Sequence, residues 1–171
     1  MIKQWRRTAI LFIACAAALD FTPALRAQTQ LRSEAAFKEL KTLAGDWQGS
    51  LNGTPTRVSY KVTADGSALM LTEQADSTVM ITMFTVDGDH LVATHYCSVG
   101  NQPQMVSVAP GDLTKGIAFS FSHVTGMKTP DDWHNTGLTI SRDTTGRLTH
   151  HWTWLYKGKE GTTEFHFSRK G

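Results

Sequence analysis

The sequence predicts an all-β protein, an antiparallel up-and-down β-barrel of about ten strands with one N-terminal helix closing an end. Three observations carry that expectation. From Asp46 onward apolar residues recur with a period of two, as strands with two distinct faces require. Turn-forming groups punctuate the pattern at short intervals: Asn52-Gly53, Asp65-Gly66, Asp87-Gly88, Pro110-Gly111-Asp112, Thr145-Gly146 and Gly158–Gly161. A single helical stripe precedes Asp46, so helices cannot cover a parallel sheet. A meander of short strands removes its exposed edges most completely by closing on itself.

The chain has 171 residues, enough for one domain of ordinary size. Residues 1–27 read as a secretory signal peptide and 28–171 as the barrel domain. Lys3, Arg6 and Arg7 precede an apolar run from Ala9 to Leu19, and Leu25-Arg26-Ala27 ends on the small residue that a signal peptidase needs. Roughly 11 apolar residues fall short of the ~20 that cross a bilayer, so no transmembrane segment is expected. The protein is therefore expected to be exported, to a periplasm or outside the cell. Cys15 fits a lipoprotein anchor poorly, because Phe12 opens the motif and apolar residues follow the cysteine. Arg6-Arg7 is only a weak twin-arginine signal.

Lys3, Arg6, Arg7 and Arg26 against Asp20 account for three positive charges, so the net +2 of the chain becomes about −1 for the remainder. Nothing in that balance suggests a nucleic-acid surface. With Cys15 in the leader, Cys97 is alone and the domain has no internal disulfide. Its stability must come from its core.

Ser33 is a plausible N-cap for a helix over Glu34–Leu43, with Phe37, Leu40 and Ala44 on one stripe and Gly45 as the stop. The predicted strands are Asp46–Leu51, Arg57–Ala64, Ala68–Glu73, Thr78–Val86, His90–Ser98, Met105–Ala109, Gly116–His123, Trp133–Arg142, Arg147–Tyr156 and Thr162–Ser168. Thr125–Asp132 is the longest irregular connection, suited to a barrel mouth.

Face parity can be followed through the hairpins. A two-residue turn at Asp87-Gly88 puts Met80, Thr82, Phe84, Leu91, Ala93, His95 and Cys97 on one face. Val79, Ile81, Met83, Val92, Thr94 and Tyr96 take the other. Both faces are apolar, so the helix, a second copy of the chain in a homodimer, or an interior ligand is needed to account for them. In the C-terminal hairpin a Gly158–Gly161 loop pairs Trp154 with Phe165 and Trp152 with Phe167. The aromatic faces are taken as inward, because each buried ring contributes about 2–3 kcal/mol. His123 and His150 then point inward, and His151 and His166 outward.

Gly45-Asp46-Trp47 after a short helix resembles the opening of lipocalin-like (calycin) barrels, in which the tryptophan packs across the closed end under the helix. Gly66-Ser67-Ala68-Leu69-Met70, Met80–Phe84, Thr94-His95-Tyr96-Cys97, Gly100-Asn101-Gln102-Pro103 and Gly158-Lys159-Glu160 look like a family of exported bacterial proteins of this type. The likeness runs from roughly Phe37 to Lys170. It implies a fold and an exported location and no particular activity. Two positions depart from that pattern: Thr85 stands where a histidine is usual and Gly126 where an asparagine is. A more distant likeness is to nitrobindin, a ten-stranded barrel that holds haem through a histidine near its C-terminus. His166 is comparably placed, though on the outward face.

Seven histidines invite a metal reading, and zinc needs three or four converging ligands. His150 and His151 are adjacent on a strand and face opposite ways, whereas His95, Cys97, His123 and His150 could share the interior. The plainer alternative is that these are packed wall residues. A Cys97–His95 nucleophile is disfavoured, since residues two apart on a strand stand ~6.5–7 Å apart at Cα. Asp131-Asp132 reads as a solvated turn, and Glu73 and Glu164 as single charges on strands. Asn101 suits an Asx-type turn, or it or Gln102 reaches a ligand's polar head.

A barrel of more than about eight strands cannot fill itself with side chains, which leaves room for a ligand cavity of a few hundred Å³. The leading expectation is an exported barrel that binds a small, mostly apolar ligand. Its candidate contacts are Met80, Phe84, Phe119, Phe121, Trp152 and Trp154 for burial and His95, Tyr96 or Gln102 for orientation, with the inward His123 and His150 also in the set. A haem- or metal-binding barrel using inward histidines, or a filled barrel with an interaction role, are the alternatives. No motif assigns a cofactor or a catalytic residue.

Overall fold

Ten antiparallel strands close into a barrel in the computed structural model, which describes residues 23–107 and 111–171. They are β1 Gly45–Leu51, β2 Thr54–Thr63, β3 Ala68–Ala75, β4 Thr78–Asp87, β5 His90–Tyr96, β6 Gln102–Ser107, β7 Ile117–Thr125, β8 His134–Arg142, β9 Leu148–Tyr156 and β10 Lys159–Arg169. Each pairs with its chain neighbours and β10 closes onto β1. The leader as far as Thr22, Cys15 included, lies outside the described residues, as do Val108, Ala109 and Pro110.

The helix α1, Pro23–Lys41, starts earlier than predicted. The segment between Pro23 and Ser33 has no glycine or proline to stop it, so Ser33 is no cap. Its hydroxyl instead donates to the Gly88 carbonyl at 2.8 Å, tying the helix to a turn at the barrel end. Lys41 Nζ reaches the Gly66 carbonyl at 3.3 Å. Ala36, Phe37, Leu40 and Leu43 are buried against Trp47. The Trp47 indole N–H donates to the Leu43 carbonyl at 2.8 Å. Arg169 lies over that ring at 4.4 Å and donates to the Ala44 and Thr42 carbonyls at 2.9 and 3.2 Å. The last strand thus locks the helix over the closed end, with Trp47 beneath it.

Face assignments from parity hold in both hairpins although the registers differ. Asp87 pairs with His90, so the turn is Gly88-Asp89. Tyr156 pairs with Lys159 around Lys157-Gly158, whose φ values of 49° and 71° suit a tight hairpin. Trp154 then faces Gly161 and not Phe165. A slip by an even number of residues leaves each side chain on its face. At Gly161 a Cβ would sit inside the Trp154 indole, which therefore lies flat across the glycine.

Bulges break the parity elsewhere. Gln104 pairs with His123 but Met105 with Phe121, leaving Ser122 extra in β7. His123 is thereby turned outward and exposed, which corrects its predicted inward position. In β8, Asn135 pairs with Trp154 and Gly137 with Thr153, so Thr136 is extra and Asn135 points inward. A Cβ at Gly137 would lie 2.6 Å from Thr153 Oγ1, so the bulge needs glycine there.

The β5–β6 connection is shorter than predicted. Gly100 N–H donates to Cys97 O at 3.0 Å and Cys97 N–H to Asn101 O at 3.1 Å, so Cys97–Gly100 is the turn and Gln102-Pro103 already belongs to β6. Pro103 sits where the β5–β6 ladder has ended at Thr94–Gln104. α1 docks on the barrel end and leaves the apolar outer face of β4 and β5 half-exposed, with Val79 at 53% and Tyr96 at 48%. Among the described residues no helix is long and apolar enough to cross a membrane.

Candidate functional site

The barrel interior falls into a dry half and a polar half. Beneath α1, Phe84, Phe119, Leu91, Ile117, Ile140, Leu148, Met105 and Phe167 fill the closed half completely. Phe84 and Phe119 touch at 5.5 Å within it. These two predicted contacts are therefore core.

Toward the other end lies a pocket of about 230 Å³, lined by Leu51, Glu73, Met80, His95, Trp133, Asn135, Trp152, Trp154, Thr163 and Phe165. The structure thus brings together Met80, His95, Trp152 and Trp154 of the predicted set. His150 is fully buried behind the wall. Tyr96 faces out on β5, and His123 faces out on β7. Phe121, 40% exposed, packs on His134 at 5.5 Å. Gln102 is held at the rim, donating to the Gly100 carbonyl at 3.0 Å and accepting from Thr125 Oγ1 at 3.1 Å.

Glu73 was not among the predicted contacts, yet it is the centre of the site. It alternates with Leu69 and Leu71 on the inner face of β3 and is only 4% exposed. Behind it, Tyr60 on β2 and His150 on β9 meet at 2.6 Å between Oη and Nε2. Burial first, and the Glu73 charge second, raise the Tyr60 pKa well above its ordinary value, so the phenol keeps its proton. Which of the two donates depends on the His150 tautomer, and the other ring nitrogen, Nδ1, is buried without a hydrogen-bond partner. That nitrogen lies 3.7 Å from Glu73 Oε1, close enough to orient the carboxyl group and too far for a good hydrogen bond. Glu73 Oε2 has no partner.

His95 takes part from β5. Its Nδ1 is 2.9 Å from Thr82 Oγ1, it stacks on Trp152 at 5.0 Å, and its Nε2 is buried without a partner. Burial lowers its pKa, only partly opposed by Glu73. A neutral His95 in the fold means that the unfolded chain takes up the proton first as pH falls below about 6.5. Stability is expected to fall from pH 7 to pH 5, and His95→Gln to flatten that limb in urea denaturation series. If the variant keeps the same slope, His95 is not its source. The carboxylates of Asp112, Asp132 and Asp143 are held below their usual range by hydrogen bonds from Thr114, Thr129 and Thr145, so they act in a separate, more acidic window.

The rim is pinned. Asn101, 2% exposed, donates from Nδ2 to the Trp133 carbonyl at 2.7 Å, a contact to the opposite loop and not an Asx turn. Asp132 caps that loop, accepting from Lys128 N–H and Thr129 N–H at 2.7 and 3.1 Å. At Gly126, where φ is +76°, a Cβ would lie 2.7 Å from the Gly100 carbonyl, so a side chain there would push the two loops apart.

Cys97 and His95 share a face as predicted, but the His95 Nδ1 bond goes to Thr82. Among the described residues no three His, Cys, Asp or Glu side chains form a metal-holding group. His166 lies outside the barrel, bonded to Thr149 at 3.1 Å and to Glu164 at 3.0 Å. A larger cleft of about 470 Å³ at the closed end is lined by Arg142, Arg147 and Arg169. Its Arg169 is already committed to the helix carbonyls. Of the four buried side-chain atoms without partners among the described residues, Glu73 Oε2 and His95 Nε2 belong to residues that line the interior pocket. No family model matches the chain and no curated protein matches it.

Proposed function

We propose that this protein is an exported, lipocalin-like barrel that binds a small, mostly apolar ligand carrying a polar group at one end. The observation that carries the reading is the pocket itself. Three tryptophans, Phe165 and Met80 supply apolar surface, while Glu73 and His95, which line the same space, each carry a buried side-chain atom without a partner. A folded chain that leaves such atoms unpaired loses stability unless something pairs with them. At about 230 Å³ the pocket lies below the range of drug-sized sites, which favours a ligand of one ring or a short chain. The charged and apolar leader supports export, and the Gly45-Asp46-Trp47 opening supports the lipocalin-like assignment.

Native mass spectrometry of protein recovered after export tests the reading, together with melting curves in the presence of small aromatic alcohols. A saturable rise in melting temperature is expected, equivalent to about 2.7 kcal/mol at a hundredfold excess over Kd. Thr163→Trp, which places an indole in the pocket, should abolish it. Absence of any co-purifying molecule together with flat melting curves would remove the proposal.

A further inference from the structure

We infer that the pocket selects small organic cations, namely primary or secondary amines on an aromatic or short aliphatic body, with Glu73 as the counter-charge and the tryptophan faces as the cage. This rests on the interior pocket being a ligand site, as proposed above, and adds the chemical class of the ligand.

The argument starts from charge. Among the lining residues only Glu73 and His95 titrate, and burial keeps His95 neutral. No lysine or arginine lines the space, and among the described residues His150 is the one ion-pair neighbour of Glu73. That neighbour is engaged with Tyr60 through Nε2 at 2.6 Å, and its Nδ1 stands 3.7 Å from Glu73 Oε1, too far for a good hydrogen bond. A carboxylate in an apolar cavity without a counter-ion is disfavoured, and an incoming cation relieves it. Glu73 Oε2 accepts hydrogen bonds only, so it requires a donor from the ligand. An ammonium N–H fits that need, and a carboxylate ligand would be repelled.

The walls agree. Trp133 and Trp154 lie 6.3 Å apart between ring centroids, and Trp152 and Phe165 face the same space. Aromatic faces attract cations through their quadrupole, tryptophan most strongly. The Asn135 amide, brought inward by the Thr136 bulge, adds a second polar group to the lining. Quaternary ammonium ions would meet the aromatic faces but leave Oε2 unpaired, so amines with N–H groups are favoured over them.

The test uses the protein as recovered after export and three ligands of one shape at pH 7.5: 2-phenylethylamine, 2-phenylethanol and 3-phenylpropanoate, titrated by calorimetry. The amine is expected to bind at least about fiftyfold more tightly than the alcohol, with the carboxylate weakest. Glu73→Gln should bring amine and alcohol within about threefold of each other. The wild-type comparison stands even if that variant folds poorly. If the alcohol or the carboxylate binds as tightly as the amine, the pocket remains a ligand site and the inference of cation selection is overturned. If none of the three saturates, the pocket reading falls and the inference falls with it.

Discussion

Trp47→Ala is expected to lower the unfolding free energy by about 3–5 kcal/mol, read from urea denaturation followed by circular dichroism. Three contacts converge on this ring. It is 2% exposed beneath the helix, its N–H is bonded to the Leu43 carbonyl, and Arg169 covers its outer side. Truncation leaves a void at the closed end and unpairs a buried carbonyl. It also frees Arg169, which ties Ala44 and Thr42 to the last strand. Trp47→Phe keeps most of the packing and loses the N–H, so about 1–2 kcal/mol is expected. A loss below about 1 kcal/mol for the alanine variant would mean that the helix is not held through this residue.

Glu73→Leu should act in the opposite direction and raise stability by about 1–4 kcal/mol. The carboxyl group is buried with its nearest ionisable partner 3.7 Å away, and it borders a pocket that gives the larger leucine room. Replacing a buried ion pair with apolar side chains is often neutral or stabilising by about 1–4 kcal/mol, and a carboxyl group this poorly paired has little attraction to lose. A natural residue that weakens the protein is what a binding site requires, since activity and stability compete at such positions. The midpoint of urea denaturation at pH 7 decides the matter. A fall of more than about 1 kcal/mol would make Glu73 a structural anchor for His150 and Tyr60 and deprive the binding proposal of its rationale.

The architecture was legible because period-two patterning survives errors of register. The predicted Trp154–Phe165 pair is wrong by four residues, yet both side chains remain inward, since an even slip cannot exchange the faces. Parity counting fails only at an odd insertion, and the two bulges are such insertions. Ser122 sent His123 outward, and Thr136 brought Asn135 inward. The second left a trace in the sequence, because a glycine such as Gly137 inside a strand pattern is a bulge signal. The Ser122 bulge has no comparable marker. Glu73 shows a different limit. Its parity with Leu69 and Leu71 already places it inside, but one acidic residue on a strand reads as a solvated charge until Tyr60 and His150 appear behind it. That cluster joins β2, β3 and β9, a proximity that no local pattern encodes. Asn101 is similar, since its partner, the Trp133 carbonyl, lies 32 residues away.

Leu40, Leu43 and Trp47 seal one end of the barrel with almost no exposure, so the pocket is a blind tube. Anything that occupies it must leave on the side by which it came. A second molecule cannot push the first out at the far side, so the departure rate should not depend on how much competitor waits outside.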